Sequence, residues 1–98
     1  MAFGSNKPAT RVSREIEIVN KLGLHARPCS KFVKLTGNFR CDVLVTKDGD
    51  TINGKSIMGL MMLAAGLGSR LTIVCEGTDA EAALDAIEKL VLSKFDED

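Results

Sequence analysis

Residues 14–37 read REIEIVNKLGLHARPCSKFVKLTG, in which a strand-like stretch passes through a glycine into a helix-like stretch. Residues 14–19 alternate between polar and apolar side chains, which predicts a half-buried strand. From Ala26 to about Gly37 the apolar side chains recur at helical spacing, which predicts a helix that Gly37 can end. His25, the one histidine of the chain, therefore lies at the start of a helix.

The predicted helix start at His25 is a candidate anion site. First-turn N–H groups have no intrahelical partner, and this end of a helix carries a partial positive charge. An imidazole placed there can carry a phosphoryl group on a ring nitrogen, and Arg27 can pair with the added negative charge. Pro28 is tolerated because a first-turn N–H has no hydrogen bond to lose. A histidine beside an arginine is often only a surface or capping residue, but the surrounding stretch favours a functional role here.

Three more strands are predicted beyond the first helix. Apolar side chains alternate over 41–45 and over 71–75, which indicates two strands. Between them, the turn signal at residues 47–50 leads into a short strand at 51–53. The strands on either side of this turn are therefore predicted to form a hairpin.

Two more helices are predicted, and each begins with a capping signal. Ser56 is the predicted N-cap of a helix that runs to about Ala65, where Gly66 and Gly68 close it. Thr78 and Glu81 form a predicted capping box for the last helix. The apolar stripe of that helix comprises Ala80, Ala83, Leu84, Ile87, Leu90 and Val91. The order βαββαβα predicts an α+β fold in which helices cover one face of an antiparallel or mixed sheet.

Composition limits the classes of protein to which this chain can belong. Its 98 residues suit one domain over 11–98, preceded by an extension at 1–10 that shows no periodicity and is predicted to be flexible. A net charge of zero and the lack of Trp and Tyr argue against a nucleic-acid partner. Three cysteines without C-x-x-C spacing argue against disulfides or zinc and suit the cytoplasm. We find no signal peptide, and the longest apolar run, 57–67, is too short for membrane insertion.

The second predicted helix has almost no polar face. Its apolar side chains are Ile57, Met58, Leu60, Met61, Met62 and Leu63. A helix that covers a sheet buries only part of its surface, so some of these residues are expected to face water. Exposed apolar patches often mark docking surfaces, and methionine adapts to several partners.

A competing motif lies at Gly49–Ser56, which fits the phosphate-binding pattern G-x-x-x-x-G-K-[ST]. It offers the alternative of a small nucleotide-binding protein. Against it, residues 50–53 suit the return strand of a hairpin better than a loop around phosphates, and such loops belong to parallel sheets.

The stretch at residues 23–28, followed by Lys-Ser-Ile-Met-Gly at 55–59, resembles the HPr family of bacterial phosphocarrier proteins. These proteins belong to the phosphoenolpyruvate-dependent phosphotransferase system, and the resemblance covers about residues 14–95. It implies an open-faced β-sandwich with a four-stranded antiparallel sheet and three helices on one side. It also implies a monomeric cytoplasmic carrier that is not itself an enzyme and needs no cofactor or metal.

The resemblance also assigns roles to residues. His25 resembles the histidine that enzyme I phosphorylates on Nδ1 and that passes the group to an EIIA-type partner, as in sugar transport. Arg27 resembles the arginine beside it, and the N–H groups of Ala26 and Arg27 would receive phosphate oxygens. Ser56 resembles the serine that a regulatory kinase phosphorylates and a phosphorylase restores. The implied docking surface comprises Ile57, Met58, Leu60 and Met61. A module that only binds partners would need this surface but not His25.

Some positions depart from the family pattern. Leu22 stands where many members have a small polar residue, and Cys29 replaces a commoner alanine. Cys29 is predicted to be a small buried residue, with a redox role as the alternative. Residues 20–23 and 95–98 resemble the nitrogen-related branch, whereas residues 55–59 resemble the branch with the serine switch. The sequence leaves the choice between these branches open.

Overall fold

Four strands and three helices make up a computed structural model that describes residues 10–97. The predicted extension at 1–10 lies outside the described residues except for Thr10, so it stays a prediction, as does the domain start at residue 11. In chain order the elements are β1 (Arg11–Glu17), α1 (Ala26–Thr36), β2 (Asp42–Lys47), β3 (Asp50–Asn53), α2 (Ile57–Met62), β4 (Arg70–Glu76) and α3 (Ala80–Leu92). A short turn at Lys94–Asp96 follows α3.

The four strands form one sheet in the order β1-β4-β2-β3, and every neighbouring pair is antiparallel. β2 and β3 form the predicted hairpin, and its turn at Asp48 and Gly49 has φ values of 51° and 86°. Positive φ at both central residues matches the twist of the flanking strands, and the Asp-Gly pair suits it. β4, the last strand in the chain, lies between β1 and β2, so the order of strands in the sheet differs from their order in the sequence.

The helices cover one face of the sheet, and the core lies between the two layers. Inward residues of β4, such as Ile73, meet the fully buried Phe32 of α1, Leu60 of α2 and Ile87 of α3 in one cluster. Residues of the opposite face, such as Glu15 on β1, are exposed. This is the predicted open-faced α+β sandwich. None of the helices within residues 10–97 is long and apolar enough to cross a membrane.

Two helix boundaries differ from the predictions. α2 ends at Met62, and its C-cap is Leu63, so Gly66 and Gly68 do not close it. The predicted cap by Thr78 is wrong, because α3 begins after Asp79, whose side chain does not cap the helix. The Asp79 carboxylate instead accepts hydrogen bonds from the N–H groups of Arg40, at 2.8 Å, and Cys41, at 2.9 Å. These bonds lower the pKa of Asp79 below its ordinary value.

Candidate functional site

The loop between β1 and α1 holds His25 through contacts with the chain that follows α2. The N–H of Leu24 donates to the carbonyl of Ala65 at 2.8 Å, and the buried Asn20 side chain donates to the carbonyl of Gly23 at 2.9 Å. Gly23 has a φ of 68°, and a Cβ there would collide with the carbonyl oxygen of Ala65 and lie 2.7 Å from the Cα of Gly66. Glycine is therefore required for this close approach.

His25 is the N-cap of α1, as predicted. Its backbone is extended, with φ of −87° and ψ of −172°, and its side chain makes no capping hydrogen bond. No described residue outside the helix accepts from the N–H groups of Ala26 and Arg27. The site therefore joins a half-exposed imidazole to free donors at the positive end of an eleven-residue helix. This is an arrangement suited to an anion held beside the ring.

A shallow groove of about 450 Å³ opens beside His25 and is bordered mainly by charged side chains. Lys21, Arg27 and Lys31 supply three cations to its lining. Arg27 is exposed and has no ion pair with a described residue, so its guanidinium is available to a phosphate in the groove. The groove brings together His25 and Arg27, two of the residues that sequence reasoning placed in the site.

The end of the chain also reaches this groove, which sequence reasoning missed. Asp96 and Glu97 line it, and Oε1 of Glu97 lies 3.5 Å from Nε2 of His25. No local sequence pattern could pair His25 with Glu97, which lie far apart in the chain, because the contact depends on how α3 lies across the sheet. In the sequence analysis, residues 95–98 indicated only a resemblance to the nitrogen-related branch of the family.

Ser56 and the apolar side chains of α2 form a second exposed region. Ser56 caps α2, and its Oγ accepts from the N–H of Gly59 at 3.0 Å. The exposed side chains are Ile57 (40%), Met58 (75%), Met61 (45%) and Met62 (78%). The prediction that Leu60 takes part in docking is corrected, because its side chain is fully buried against the core and cannot touch a partner. Met62 takes its place on the exposed face.

The nucleotide-binding alternative at Gly49–Ser56 is not favoured by this geometry. Gly49 lies in the hairpin turn, and Asp50–Asn53 is a strand paired with β2 rather than a loop. This segment is therefore an extended edge strand whose inner N–H and carbonyl groups pair with β2, and it does not form a loop that could wrap around a phosphate chain. Within residues 10–97, no group of three or more His, Cys, Asp or Glu side chains is placed to hold a metal ion.

Cys29 lies one turn into α1 and is fully buried, as predicted. Its Sγ donates to the carbonyl of Leu24 at 3.6 Å, and burial raises the pKa of its thiol to about 11. A thiol held in its neutral form is a poor nucleophile, which disfavours the redox alternative. Cys29 instead joins the helix start to the loop that carries His25.

Comparisons with known proteins agree with the fold. A family model described as the PTS HPr component phosphorylation site matches residues 12–93. The phosphocarrier protein HPr of Cupriavidus necator is 45% identical over 86 residues, which span 88% of this chain and 97% of that protein. The phosphocarrier protein NPr of Shewanella violacea is 42% identical over 88 residues, or 90% and 97% of the two chains. The crystal structure of HPr-C-His from Thermoanaerobacter tengcongensis superimposes with a TM-score of 0.86 at 42% identity, covering 89% of this chain and 98% of that one.

Proposed function

The chain belongs to the HPr family of phosphocarrier proteins of the phosphotransferase system, and we propose that His25 is the residue that carries the phosphoryl group. As a phosphocarrier it passes the group between partner enzymes and is not itself an enzyme. The observation that carries the assignment is the position of His25, half-exposed at the start of α1 beside free N–H groups and Arg27.

Phosphoryl transfer at this position needs positioning and charge rather than further chemistry from the chain. A lone pair on the ring nitrogen attacks phosphorus while the bond from phosphorus to the donor breaks. The phosphoryl oxygens then meet the N–H groups of Ala26 and Arg27 and the Arg27 guanidinium, which hold the group in line between two partners. Because a phosphoramidate transfers readily, no metal or cofactor is needed on this chain.

The proposed function is tested by incubation with enzyme I and labelled phosphoenolpyruvate, alongside an ATP-binding measurement. We expect an acid-labile label on the protein and no saturable ATP binding. ATP binding without labelling from phosphoenolpyruvate would contradict the proposal and restore the nucleotide-binding alternative at Gly49–Ser56.

Replacing Arg27 by alanine should slow phosphoryl transfer roughly tenfold in both directions, since a charge-assisted contact to the phosphate is lost. Fold and stability should change little because the side chain is exposed and has no ion pair with the rest of residues 10–97. Lys34→Ala is the matched control, since it removes one cation from the exposed side of the same helix. Rapid-quench rates distinguish the two variants, and equal rates for Arg27→Ala and the wild type would remove Arg27 from the site.

We further propose that Ser56 is a regulatory phosphorylation site acted on by a serine kinase and a phosphorylase. A phosphate there would bring about −2 charge beside the exposed methionines of α2, which partners must desolvate on binding. Ser56 already accepts the N–H of Gly59, and phosphate oxygens can accept the same bond. The fold is therefore expected to survive the modification while docking weakens.

Phosphorylation of Ser56 should weaken enzyme I binding about tenfold or more, and Ser56→Asp should do so to a smaller extent. Ser56→Ala should bind normally but lose about 1 kcal/mol of stability through the missing cap. Ser13→Asp places the same new charge on the exposed face of β1, away from the helices, and should bind like the wild type. Calorimetric affinities check this, and equal affinity for Ser56→Asp, the phosphorylated protein and the wild type would leave Ser56 with its capping role alone.

The partners proposed are enzyme I as donor and an EIIA-type protein as acceptor, both docking on Ile57, Met58 and Met61. A carrier that binds two partners in turn through the same surface needs that surface to be free, so we propose that the protein is a monomer. We also propose that it acts in the cytoplasm.

A further inference from the structure

Residues 94–97 form an unusual turn that is fixed at three points. Lys94, Phe95 and Asp96 have φ values of 61°, 56° and 60°, a left-handed conformation that L-residues seldom adopt in succession. The Phe95 side chain is fully buried, and its carbonyl accepts from Nζ of Lys31 at 2.6 Å. The N–H of Glu97 donates back to the carbonyl of Lys94 at 3.0 Å. Burial and hydrogen bonding thus offset the backbone strain and fix where Glu97 lies.

The turn places the Glu97 carboxylate against one nitrogen of His25. Nε2 of His25 is buried and has no hydrogen-bond partner within residues 10–97, while Oε1 of Glu97 lies 3.5 Å away. The separation lies within ion-pair range and at the long limit of a hydrogen bond. The Glu97 side chain is only 19% exposed, so water competes weakly for this contact.

Other charged groups line the same groove, but among the described residues only Glu97 is placed within ion-pair distance of Nε2. Lys21, Arg27 and Lys31 line it as cations, and Asp96 is its second carboxylate. No ion pair joins Asp96 to His25, although Asp96 is the immediate neighbour of Glu97. Asp96 therefore supplies a natural control for the loss of one negative charge from the groove.

We propose that Glu97 is a positioning residue that accepts a hydrogen bond from Nε2–H of His25 and so keeps the lone pair on Nδ1 for the phosphoryl group. The inference rests on the proposed role of His25. When Nδ1 bonds to phosphorus and the bond from phosphorus to the donor atom breaks, the donor keeps that electron pair. The ring retains its proton on Nε2 and gains positive charge, which the Glu97 carboxylate offsets.

Glu97→Gln tests this role by removing the charge with little change in shape, and Asp96→Asn is the control. At saturating enzyme I, we expect Glu97→Gln to accept the phosphoryl group roughly tenfold more slowly, the effect of one lost charge-assisted hydrogen bond. The concentration of enzyme I for half-maximal rate should not change, because Glu97 acts through His25. Glu97→Asp should recover part of the rate, and Asp96→Asn should not show the tenfold loss, because Asp96 makes no ion pair with His25.

Proton NMR gives a readout that does not need phosphorylation. In the wild type the Nε2–H proton of His25 should be observable in spectra recorded in water, because its hydrogen bond slows exchange with the solvent. This signal should be lost in Glu97→Ala and kept in Asp96→Asn.

If Glu97→Gln and Asp96→Asn have equal rates and the Nε2–H signal survives in Glu97→Ala, the positioning role is contradicted. If instead the wild type shows the signal but is never phosphorylated on His25, the proposed function fails while the Glu97 contact stands.

Discussion

Replacing His25 by alanine is expected to abolish phosphoryl transfer from phosphoenolpyruvate while leaving the fold intact. The chain has one histidine, so no second imidazole can take over the role. The His25 side chain is 38% exposed and makes no capping bond, so its removal should lower the free energy of unfolding by only about 1–2 kcal/mol, mainly through the lost contact with Glu97. Labelling by enzyme I, followed by intact-mass analysis, measures the first effect, and urea unfolding measures the second.

The control for this variant is Lys21→Ala, which changes an exposed side chain of the same groove and should still be labelled. An acid-labile label on His25→Ala at the wild-type level would show that another residue carries the phosphoryl group. A variant that fails to fold would instead contradict the view that His25 contributes little to the core.

Replacing Gly23 by alanine is expected to cause a large loss of stability, about 3–5 kcal/mol. About 1–2 kcal/mol comes from placing an L-residue in a left-handed conformation, and the rest comes from overpacking against the backbone of Ala65 and Gly66. The loop that carries His25 must shift to relieve the collision, so phosphoryl transfer should slow as well. Urea unfolding and the labelling assay check the two effects.

Gly68→Ala is the matched control, because Gly68 has a φ of 89° and a Cβ there would meet no atom within 4 Å. It should lose only the conformational part, about 1–2 kcal/mol, and should transfer the phosphoryl group normally. Equal losses in the two variants would mean that the close approach to Ala65 does not hold the loop.

The strands and the hairpin could be predicted from sequence because their signals are local. Alternation over 71–75 and an Asp-Gly turn at residues 48 and 49 depend only on neighbours in the chain. The helix start at His25 was equally readable, since a glycine loop leads into apolar residues at helical spacing. These local features determine most of the fold and the position of His25.

The errors lie where distant segments meet. Thr78 and Glu81 have the spacing of a capping box, but Asp79 is held by backbone N–H groups of the chain before β2, and the helix begins one residue later. Leu60 belongs to an apolar helix whose buried side is set by the sheet below it. Glu97 is brought to His25 by a turn in which Phe95 is buried in the core and its carbonyl accepts a hydrogen bond from Lys31 of α1.

The most direct test of the central claim is to locate the phosphoryl group on the wild-type protein after incubation with enzyme I and phosphoenolpyruvate. In ¹⁵N-labelled protein, coupling between phosphorus and a ring nitrogen identifies both the residue and the atom. We predict a single phosphoryl group on Nδ1 of His25. A phosphoryl group on any other residue, or none at all with active enzyme I, would contradict the account.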